Sequence, residues 1–354
     1  MAEVINDKLL MVSAPPHMST GVRTKQIMFD VLLALLPAAI WAILGFGLYT
    51  FLVIIVAMFT CQLTEWICIK LMKSNRKRDN SALLTGLLFA FCLPGDISLY
   101  VVIMGSVFAI AVVKMMFGGI GNNILNPALA ARVFVGLSFP SGFTSWIPNA
   151  FASSDAITSA TPLQLVASAG GDRFIAMQQE VAKLSNWNLF FGSHKGALGE
   201  GAAFLLILGG IYLLWRKVIS WHIPFSFLLS FLVLATIACY SSDEETSFRM
   251  VNPIYQLFSG GLILGAFFMA TDYVTSPITK NGQIVFGIGC GVLTFLIRFY
   301  GGYPEGVMYS ILFMNLMMPM IEHFLPTTNT VWFRKNQKEK LKALKLKESE
   351  GTQK

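Results

Sequence analysis

Apolar segments of about twenty residues recur along this chain and leave few ways for it to fold. Residues 27–47 and 48–69 are two such segments, and each is long enough to cross a bilayer as a helix. Lipid offers the backbone no hydrogen-bond partner, so a spanning segment must be a helix or part of a closed barrel. With 55% hydrophobic and only 13% charged residues, the chain is too apolar for a soluble globule of 354 residues. We therefore predict an all-α polytopic membrane protein.

About ten transmembrane helices are predicted from the apolar runs, and two of them are short or interrupted by glycine. The interrupted pair is 82–94 and 253–270. The polar N-terminal residues, followed by a full-length apolar run, predict no cleavable signal peptide. The ten predicted segments are 27–47, 48–69, 82–94, 98–117, 122–139, 201–215, 221–240, 253–270, 283–300 and 305–325.

Lysine and arginine in the connecting loops predict the orientation of the chain. The loop KLMKSNRKRDN after the second segment carries five basic residues, so the positive-inside rule places it in the cytoplasm. Residues 1–26 and the basic tail 326–354 are then cytoplasmic as well, and the interval 140–200 is extracytoplasmic. Much of the net charge of +7 lies in that tail, which indicates a role in topology and not in nucleic-acid binding.

The chain also contains an internal repeat. KMMFGGIGNNILNPALAARVF, residues 114–134, aligns with IRFYGGYPEGVMYSILFMNLM, residues 297–317, and both contain a paired glycine. The predicted halves, 27–139 and 201–325, each hold five segments. Because five is odd, the second half must be inverted relative to the first. Inverted repeats place broken helices and polar groups near the centre of the membrane.

Polar side chains at matching elements of the two halves form the predicted intramembrane site. Asn122 and Asn126 open the fifth segment of the first half, and Glu305 and Asn315 lie in the last segment of the second. Unpaired polar groups within a membrane are costly, so these four are expected in one buried site, with Glu305 and Asn315 as ion-path candidates. Helix capping and ordinary salt pairing are the alternative interpretation.

Other residues are singled out by the same cost of burial. Gly118 and Gly119 are expected to form a sharp bend, with cradling of an anion as a second interpretation. The expected buried cations are Arg132 and Arg298, and the expected buried acids are Asp30 and Glu65. The cysteines and histidines show no metal-binding spacing, so no metal site is predicted.

The stretch DAITSATPLQ, residues 155–164, carries hydroxyl groups among small side chains in the long polar interval. Its centre SATP is similar to a flavinylation motif in which FMN phosphate esterifies the last threonine. That resemblance implies covalent FMN on Thr161. Thr158, Ser159, Ala160 and Asp155 are the motif neighbours. The small Ser159 and Ala160 keep the expected exposed acceptor within reach of a transferase, and Asp155 is expected as an N-cap or as a metal contact for that enzyme. An ordinary Ser/Thr-rich turn is the alternative.

The segment GGIGNNILNPALAARVF and the later GALGE resemble the membrane family that contains the D subunit of the Rnf complex and the B subunit of the sodium-translocating NADH:quinone reductase. B subunits have a longer N-terminal extension, so the resemblance is greater to the D-type members. It implies an electron-transfer subunit in a prokaryotic plasma membrane. The complex would pass electrons between ferredoxin and NAD and move sodium ions or protons.

The same resemblance implies the cofactors and partners. These are a second, non-covalent flavin such as riboflavin, a second subunit with covalent FMN on the outer face, a flavin transferase, and membrane lipid. Ferredoxin and NAD sites are expected on other subunits, and no complete active site is expected here. A cofactor-free channel or secondary transporter would also fit an inverted repeat with polar broken helices, so that function remains the alternative.

Overall fold

The computed structural model describes residues 24–73, 79–143, 146, 150, 161, 163–164, 186–192, 195–201, 203–241, 253–301, 303 and 305–326. All regular secondary structure within these residues is helical. The helices are α1 Thr24–Phe46, α2 Leu48–Leu71, α3 Ser81–Phe91, α4 Leu99–Val107 with its π-helical continuation Phe108–Met115, α5 Pro127–Ser138, α6 Asn186–Phe191, α7 Ala203–Trp215, α8 His222–Ser241, α9 Pro253–Phe258, α10 Leu262–Leu264 with its π-helical continuation Gly265–Met269, α11 Lys280–Tyr300 and α12 Val307–Phe324.

Five of these helices, α1, α2, α8, α11 and α12, are long and apolar enough to cross a membrane. The other apolar helices are shorter: α3, α4 with its continuation, α5 and α7. The prediction of an all-helical membrane protein is therefore confirmed. Every predicted segment contains a described helix, but only half of the ten have the length of a complete span.

Two predicted segments are confirmed as short or broken. α3 has only 11 residues. The segment 253–270 is divided into α9 and α10 by a turn at Gly260, whose φ of +72° favours glycine. A β-carbon at Gly260 would lie 2.8 Å from Arg298 Nη2, so the close approach of this side chain also requires glycine.

The predicted start of the fifth segment at residue 122 is wrong. α5 begins at Pro127, where a proline fits because the first helical N–H needs no intrahelical partner. Asn126 is the N-cap: its Oδ1 accepts from the N–H groups of Ala128 and Leu129, at 3.1 and 3.4 Å. Residues 122–126 therefore form the turn that leads into the helix.

Equivalent helices of the two predicted halves contact each other. In the pair α1 and α7, Asp30 lies 3.0 Å from Arg216, while the rings of Trp41 and Phe204 are 5.5 Å apart. Residues near the start of α1 thus contact the end of α7, and residues further along α1 contact the start of α7, so the two helices run antiparallel. Between these contacts a β-carbon on Gly209 would lie 2.5 Å from the backbone oxygen of Ala34, which shows how closely the helices approach.

The pair α5 and α12 is antiparallel by the same criterion. Asn126, at the start of α5, contacts Asn315 within α12, while Arg132, one and a half turns further along α5, contacts Glu305 just before α12. The polar residues that meet between these two helices are the starting point for the site.

Candidate functional site

Thr161 is buried, with 2% of its surface exposed, although an exposed hydroxyl was predicted. Its N–H donates to Oε1 of Gln164 at 3.1 Å, and its Oγ1 accepts from the N–H of Gln164 at 3.2 Å. This reciprocal pair is a tight local turn that covers the hydroxyl. Leu163, also buried, packs at Gly260 beside the guanidinium of Arg298, so the turn lies against the break between α9 and α10.

A cleft with aromatic walls adjoins this turn. We call it the aromatic cleft; it is lined by Arg132, Phe143, Trp146, Gln164, Tyr303 and Tyr309, among others. Trp146 is buried, and its Nε1 has no hydrogen-bond acceptor in the described structure. A buried donor without a partner is costly, so this cleft suits a ligand that brings acceptor oxygens.

Arg132 forms the floor of the aromatic cleft. Its guanidinium lies over the ring of Phe143, 3.9 Å from the centroid, and its Nε donates to the carbonyl of Cys92 at 2.8 Å. This carbonyl lies just beyond the C-terminus of α3, where a cation is favoured by the helix dipole. The Nη2 of Arg132 also lies 3.4 Å from Oε2 of Glu305. One arginine therefore joins α3, α5 and the segment before α12.

A second cavity lies behind this ion pair. We call it the carboxylate cavity; it is lined by Cys92, Arg132, Glu200, Met269, Glu305 and Met308, among others. Arg132, Glu305 and Met308 line both spaces, so they form the partition between them. Glu200 is buried in the turn before α7, where its N–H donates to the carbonyl of Ala197 at 2.8 Å.

Arg298 makes a similar contact at the short helix α9 of the second half, although it lies in α11 and not at the position that aligns with Arg132. Its Nη1 and Nη2 donate to the carbonyls of Gln256 and Ser259, at 2.6 and 3.0 Å, and these carbonyls are at the end of α9. Arg132 and Arg298 thus each cap the C-terminal end of a short helix. The predictions that both arginines and Glu65 are buried are confirmed.

The four polar residues predicted to share one site are divided between two contacts. With the Asn315 amide oriented to satisfy both of its polar atoms, its oxygen accepts from the N–H of Asn126 and its nitrogen donates to the carbonyl of Thr275, each at 3.2 Å. Asn126 Nδ2 donates to the carbonyl of Met269 at 3.1 Å. Glu305 lies instead with Arg132, because it precedes Asn315 by almost three helical turns. Asn122 is exposed and belongs to neither contact.

Gly118 and Gly119 form the predicted bend, with φ of +108° and +87°. Their N–H groups donate to the carbonyls of Met115 and Lys114, at 3.0 and 2.9 Å, which ends the π-helical segment. A β-carbon at Gly118 would lie 2.9 Å from Nδ2 of Asn122. These backbone donors are already used, so the arrangement gives the two glycines a structural role.

A buried lysine, Lys114, was not predicted from the sequence. Its Nζ lies 2.5 Å from Oε1 of Glu65 and donates to Oγ of Ser81 at 2.6 Å. This contact lies at the start of α3, beside an apolar cavity between the halves. We call this space the lysine cavity; it is lined by Met28, Ser81, Lys114, Asn126, Phe267 and Asp272, among others. A lone lysine in the apolar run 98–117 was the available signal.

Asp30 is not a buried acid: it is partly exposed, and its partner Arg216 is half exposed, because the contact lies near the start of α1. Within the flavinylation motif the described structure places Thr161. The motif neighbours lie outside the described residues: Thr158, Ser159, Ala160 and Asp155.

Comparison with known proteins gives consistent matches along the chain. The sequence profile of the NQR2, RnfD, RnfE family matches residues 11–330. The chain is 40% identical over 326 residues to the D subunit of the proton-translocating ferredoxin:NAD(+) oxidoreductase complex of Clostridium ljungdahlii, covering 92% of this chain and 97% of that protein.

Two other similar proteins have related names. The D subunit of the Na(+)-translocating ferredoxin:NAD(+) oxidoreductase complex of Acetobacterium woodii is 42% identical over 325 residues, covering 90% of this chain and 95% of that protein. The D subunit of the ion-translocating oxidoreductase complex of Klebsiella pneumoniae is 33% identical over 341 residues, covering 88% of this chain and 96% of that protein.

Proposed function

This chain belongs to the NQR2, RnfD, RnfE family, and we propose that it is the D-type membrane subunit of an ion-translocating ferredoxin:NAD oxidoreductase complex. The family resemblance predicted from the sequence motifs is thereby confirmed. The names of the relatives include both protons and sodium ions, so they leave the coupled ion open. They favour a redox complex over a cofactor-free channel or transporter.

We propose that the chain carries FMN as a phosphoester on Thr161. The observation that supports this most directly is the position of Thr161 beside the aromatic cleft, to which Gln164 connects it. Tyr303, Tyr309 and Trp146 would flank the flavin ring, and the unpartnered Trp146 N–H would donate to one of its oxygens. Flavin would supply the electron transfer, while the protein positions it and sets its electrostatic surroundings.

The charge of the site also fits this cofactor. A phosphodiester carries one negative charge, and Arg132 contributes a cation to the same cleft. Arg298, close to Leu163, adds a second positive charge on the side of the turn, and its Nε has no acceptor in the described structure. Because the hydroxyl of Thr161 is covered in this conformation, a flavin transferase would have to modify it before the turn docks or after it opens.

In-gel fluorescence tests the attachment. The denatured protein should give a flavin-fluorescent band after expression with a flavin transferase. Thr161→Ala removes the acceptor oxygen and should abolish the band without preventing membrane insertion. Thr158→Ala is the matched control and should retain it, because a phosphoester needs only one acceptor. A fully fluorescent Thr161→Ala protein would refute the proposal.

We further propose that the two halves are inverted repeats, that both termini are cytoplasmic, and that Thr161 is extracytoplasmic. The antiparallel pairing of α1 with α7, and of α5 with α12, supports the inversion. In a cysteine-free background, Ser153→Cys should react with an impermeant thiol reagent on intact cells, whereas Ser74→Cys should react only after lysis. The reverse pattern would overturn this topology.

The remaining partners follow from the same proposed assembly. The lysine cavity, mostly apolar with a few polar groups, is our candidate place for a second, non-covalent flavin such as riboflavin, and its volume of about 80 Å³ would have to increase to admit the ring. Flavin released by mild denaturation, in addition to the covalent flavin, would support it. Its absence from purified, fully assembled protein would contradict it.

The aromatic cleft is where a second covalent-FMN subunit on the outer face would exchange electrons, and lipid would cover the apolar outer surfaces of the long helices.

A further inference from the structure

Two carboxyl groups share the carboxylate cavity. Glu200 and Glu305 both line it, and the only cation lining it in the described structure is Arg132. Glu200 is 5% exposed, and its Oε2 lies against the turn at Gly196, where a β-carbon would approach it to 2.6 Å. The Glu200 carboxyl is therefore held inside the protein by a tight backbone turn.

The two neighbouring arginines are largely occupied by backbone oxygens. Arg132 uses its Nε for the carbonyl of Cys92 and contacts Glu305 only at 3.4 Å. Arg298 directs two donors to the carbonyls of Gln256 and Ser259. In the described structure, the contact of Glu305 with Arg132 is therefore the only ion pair between these carboxyl groups and the two arginines.

Two carboxylates that share a buried space cannot both ionise cheaply, because each disfavours the charge of the other. The charged and titratable groups that face Glu200 are Glu305, Arg132, Arg298 and the thiol of Cys92. Burial first, and then the negative charge of Glu305, raise the pKa of Glu200 well above its usual range, although both arginines oppose this change.

We propose that Glu200 and Glu305 form a buried proton-binding site in which one proton is shared between the two carboxyl groups. Binding makes one O–H bond on the pair and changes its charge from −2 to −1, and the proton comes from water. Glu305 lines both the carboxylate cavity and the aromatic cleft, so it is the group through which the proton exchanges. Glu200 lies on the inner side and retains the proton.

This site adjoins the place proposed for FMN, so added negative charge in the aromatic cleft should strengthen proton binding by the pair. That linkage rests on the proposed function, whereas the proton site itself does not. The two ideas can therefore fail separately.

Infrared spectroscopy of the purified protein tests the proton site. At neutral pH we expect the C=O stretching band of a protonated carboxylic acid, and we expect this band to shift when the protein is transferred to heavy water. Glu200→Gln should remove this band, and Glu305→Gln should shift or weaken it, because burial still raises the pKa of Glu200 after the charge of Glu305 is removed. Glu322→Gln, which changes a carboxylate that accepts from the N–H of Ile278 at the protein surface, is the matched control and should keep it.

A wild-type spectrum without the band, or an unchanged band in folded Glu200→Gln protein, would overturn the proposal. Should Glu200→Gln fail to fold, Glu200→Asp is the second variant, and the proposal then requires a shifted or lost band. The redox linkage is tested by titrating the potential of the covalent flavin against pH: the slope should be smaller in Glu200→Gln than in wild type. An equal slope with a lost band would refute only the linkage, and an absent covalent flavin would refute only the proposed cofactor.

Discussion

The two ends of α3 hold buried charges in different ways. At its start, Ser81 accepts from Lys114, and Lys114 pairs with Glu65 at 2.5 Å. All three residues belong to the first half. At its end, the carbonyl of Cys92 accepts from Arg132, while the nearby acids, Glu200 and Glu305, both come from beyond the first half. The two ends are about 16 Å apart, since α3 has 11 residues and an α-helix rises about 1.5 Å per residue.

This difference separates a structural contact from a candidate functional one. The lysine end brings one cation directly onto one carboxylate, which is the arrangement that makes a buried charge tolerable. The arginine end joins the two halves through an ion pair at 3.4 Å, opens onto two cavities, and leaves Glu200 without an ion-pair contact in the described structure. A site that can gain or lose one proton, at an interface between the halves, is suited to coupling proton binding to a change of charge in the aromatic cleft. The direct pair of Lys114 with Glu65, within one half, is suited to fixing the fold, and Asp272 of the second half lines the cavity beside it.

The largest effect is expected at the lysine end. Glu65→Gln keeps the shape but leaves Lys114 as a buried charge without its counterion, which should cost about 3–5 kcal/mol of the free energy of unfolding. The midpoint of SDS-induced unfolding in mixed micelles measures this loss. The double variant Glu65→Leu with Lys114→Met removes both charges and should recover most of the stability. A double variant as unstable as the single one would show that charge pairing is not the cause.

The next effect concerns function at the arginine end. We propose that Glu305, with Asn315 deeper along α12, lies on the ion path. Glu305→Gln can still accept from Arg132, so the complex should assemble and keep FMN on Thr161, yet lose most of its ion transport in reconstituted vesicles. Vesicles with wild-type protein at equal flavin content are the reference. Undiminished transport would return Glu305 to a purely structural role as the partner of Arg132.

The smallest effect is expected for Glu200→Gln. In the proposed site an amide replaces a carboxyl group that holds a proton, so the free energy of unfolding at pH 7 should change by less than about 1 kcal/mol, a value typical of one neutral hydrogen bond. The midpoint of SDS-induced unfolding measures this change too. The contrast is with Glu65→Gln, the same substitution at the other end of α3.

The pH dependence should separate Glu200→Gln from wild type more clearly. In wild type, folded Glu200 holds its proton above the pH at which the unfolded chain releases it, because burial and Glu305 raise its pKa. The folded state then binds more protons, so wild-type stability falls as pH rises from the ordinary glutamate range through the raised pKa. Unfolding midpoints in this interval should fall less steeply in Glu200→Gln, and identical slopes would contradict the account.

Residue patterns predicted much of the fold and some of the buried charges at the two ends of α3. Apolar runs gave helices at every predicted segment, and the cost of burial correctly indicated Glu65, Arg132 and Arg298. The prediction for Asp30 was wrong because this residue lies near the start of α1, where an exposed arginine can reach it.

Glu200 shows why the rest could not be predicted. It lies just outside an apolar run, and its burial comes from a long-range contact: the N–H of Gly199 in the same turn donates to the carbonyl of Phe91 at 2.8 Å. No local sequence pattern predicts such a contact. The pairing of Glu305 with Arg132 instead of Asn126 likewise depends on the stagger of α5 against α12, which is a property of packing and not of spacing along the sequence.

Mass spectrometry of the peptide that contains Thr161 tests most directly whether the protein carries covalent FMN beside the arginine end of α3. Wild-type protein, expressed with a flavin transferase, should give this peptide with the added mass of FMN less one water, and fragmentation should locate the addition on Thr161. An unmodified peptide from protein that otherwise assembles into its complex, or an addition located on Thr158 or Ser159, would contradict the account.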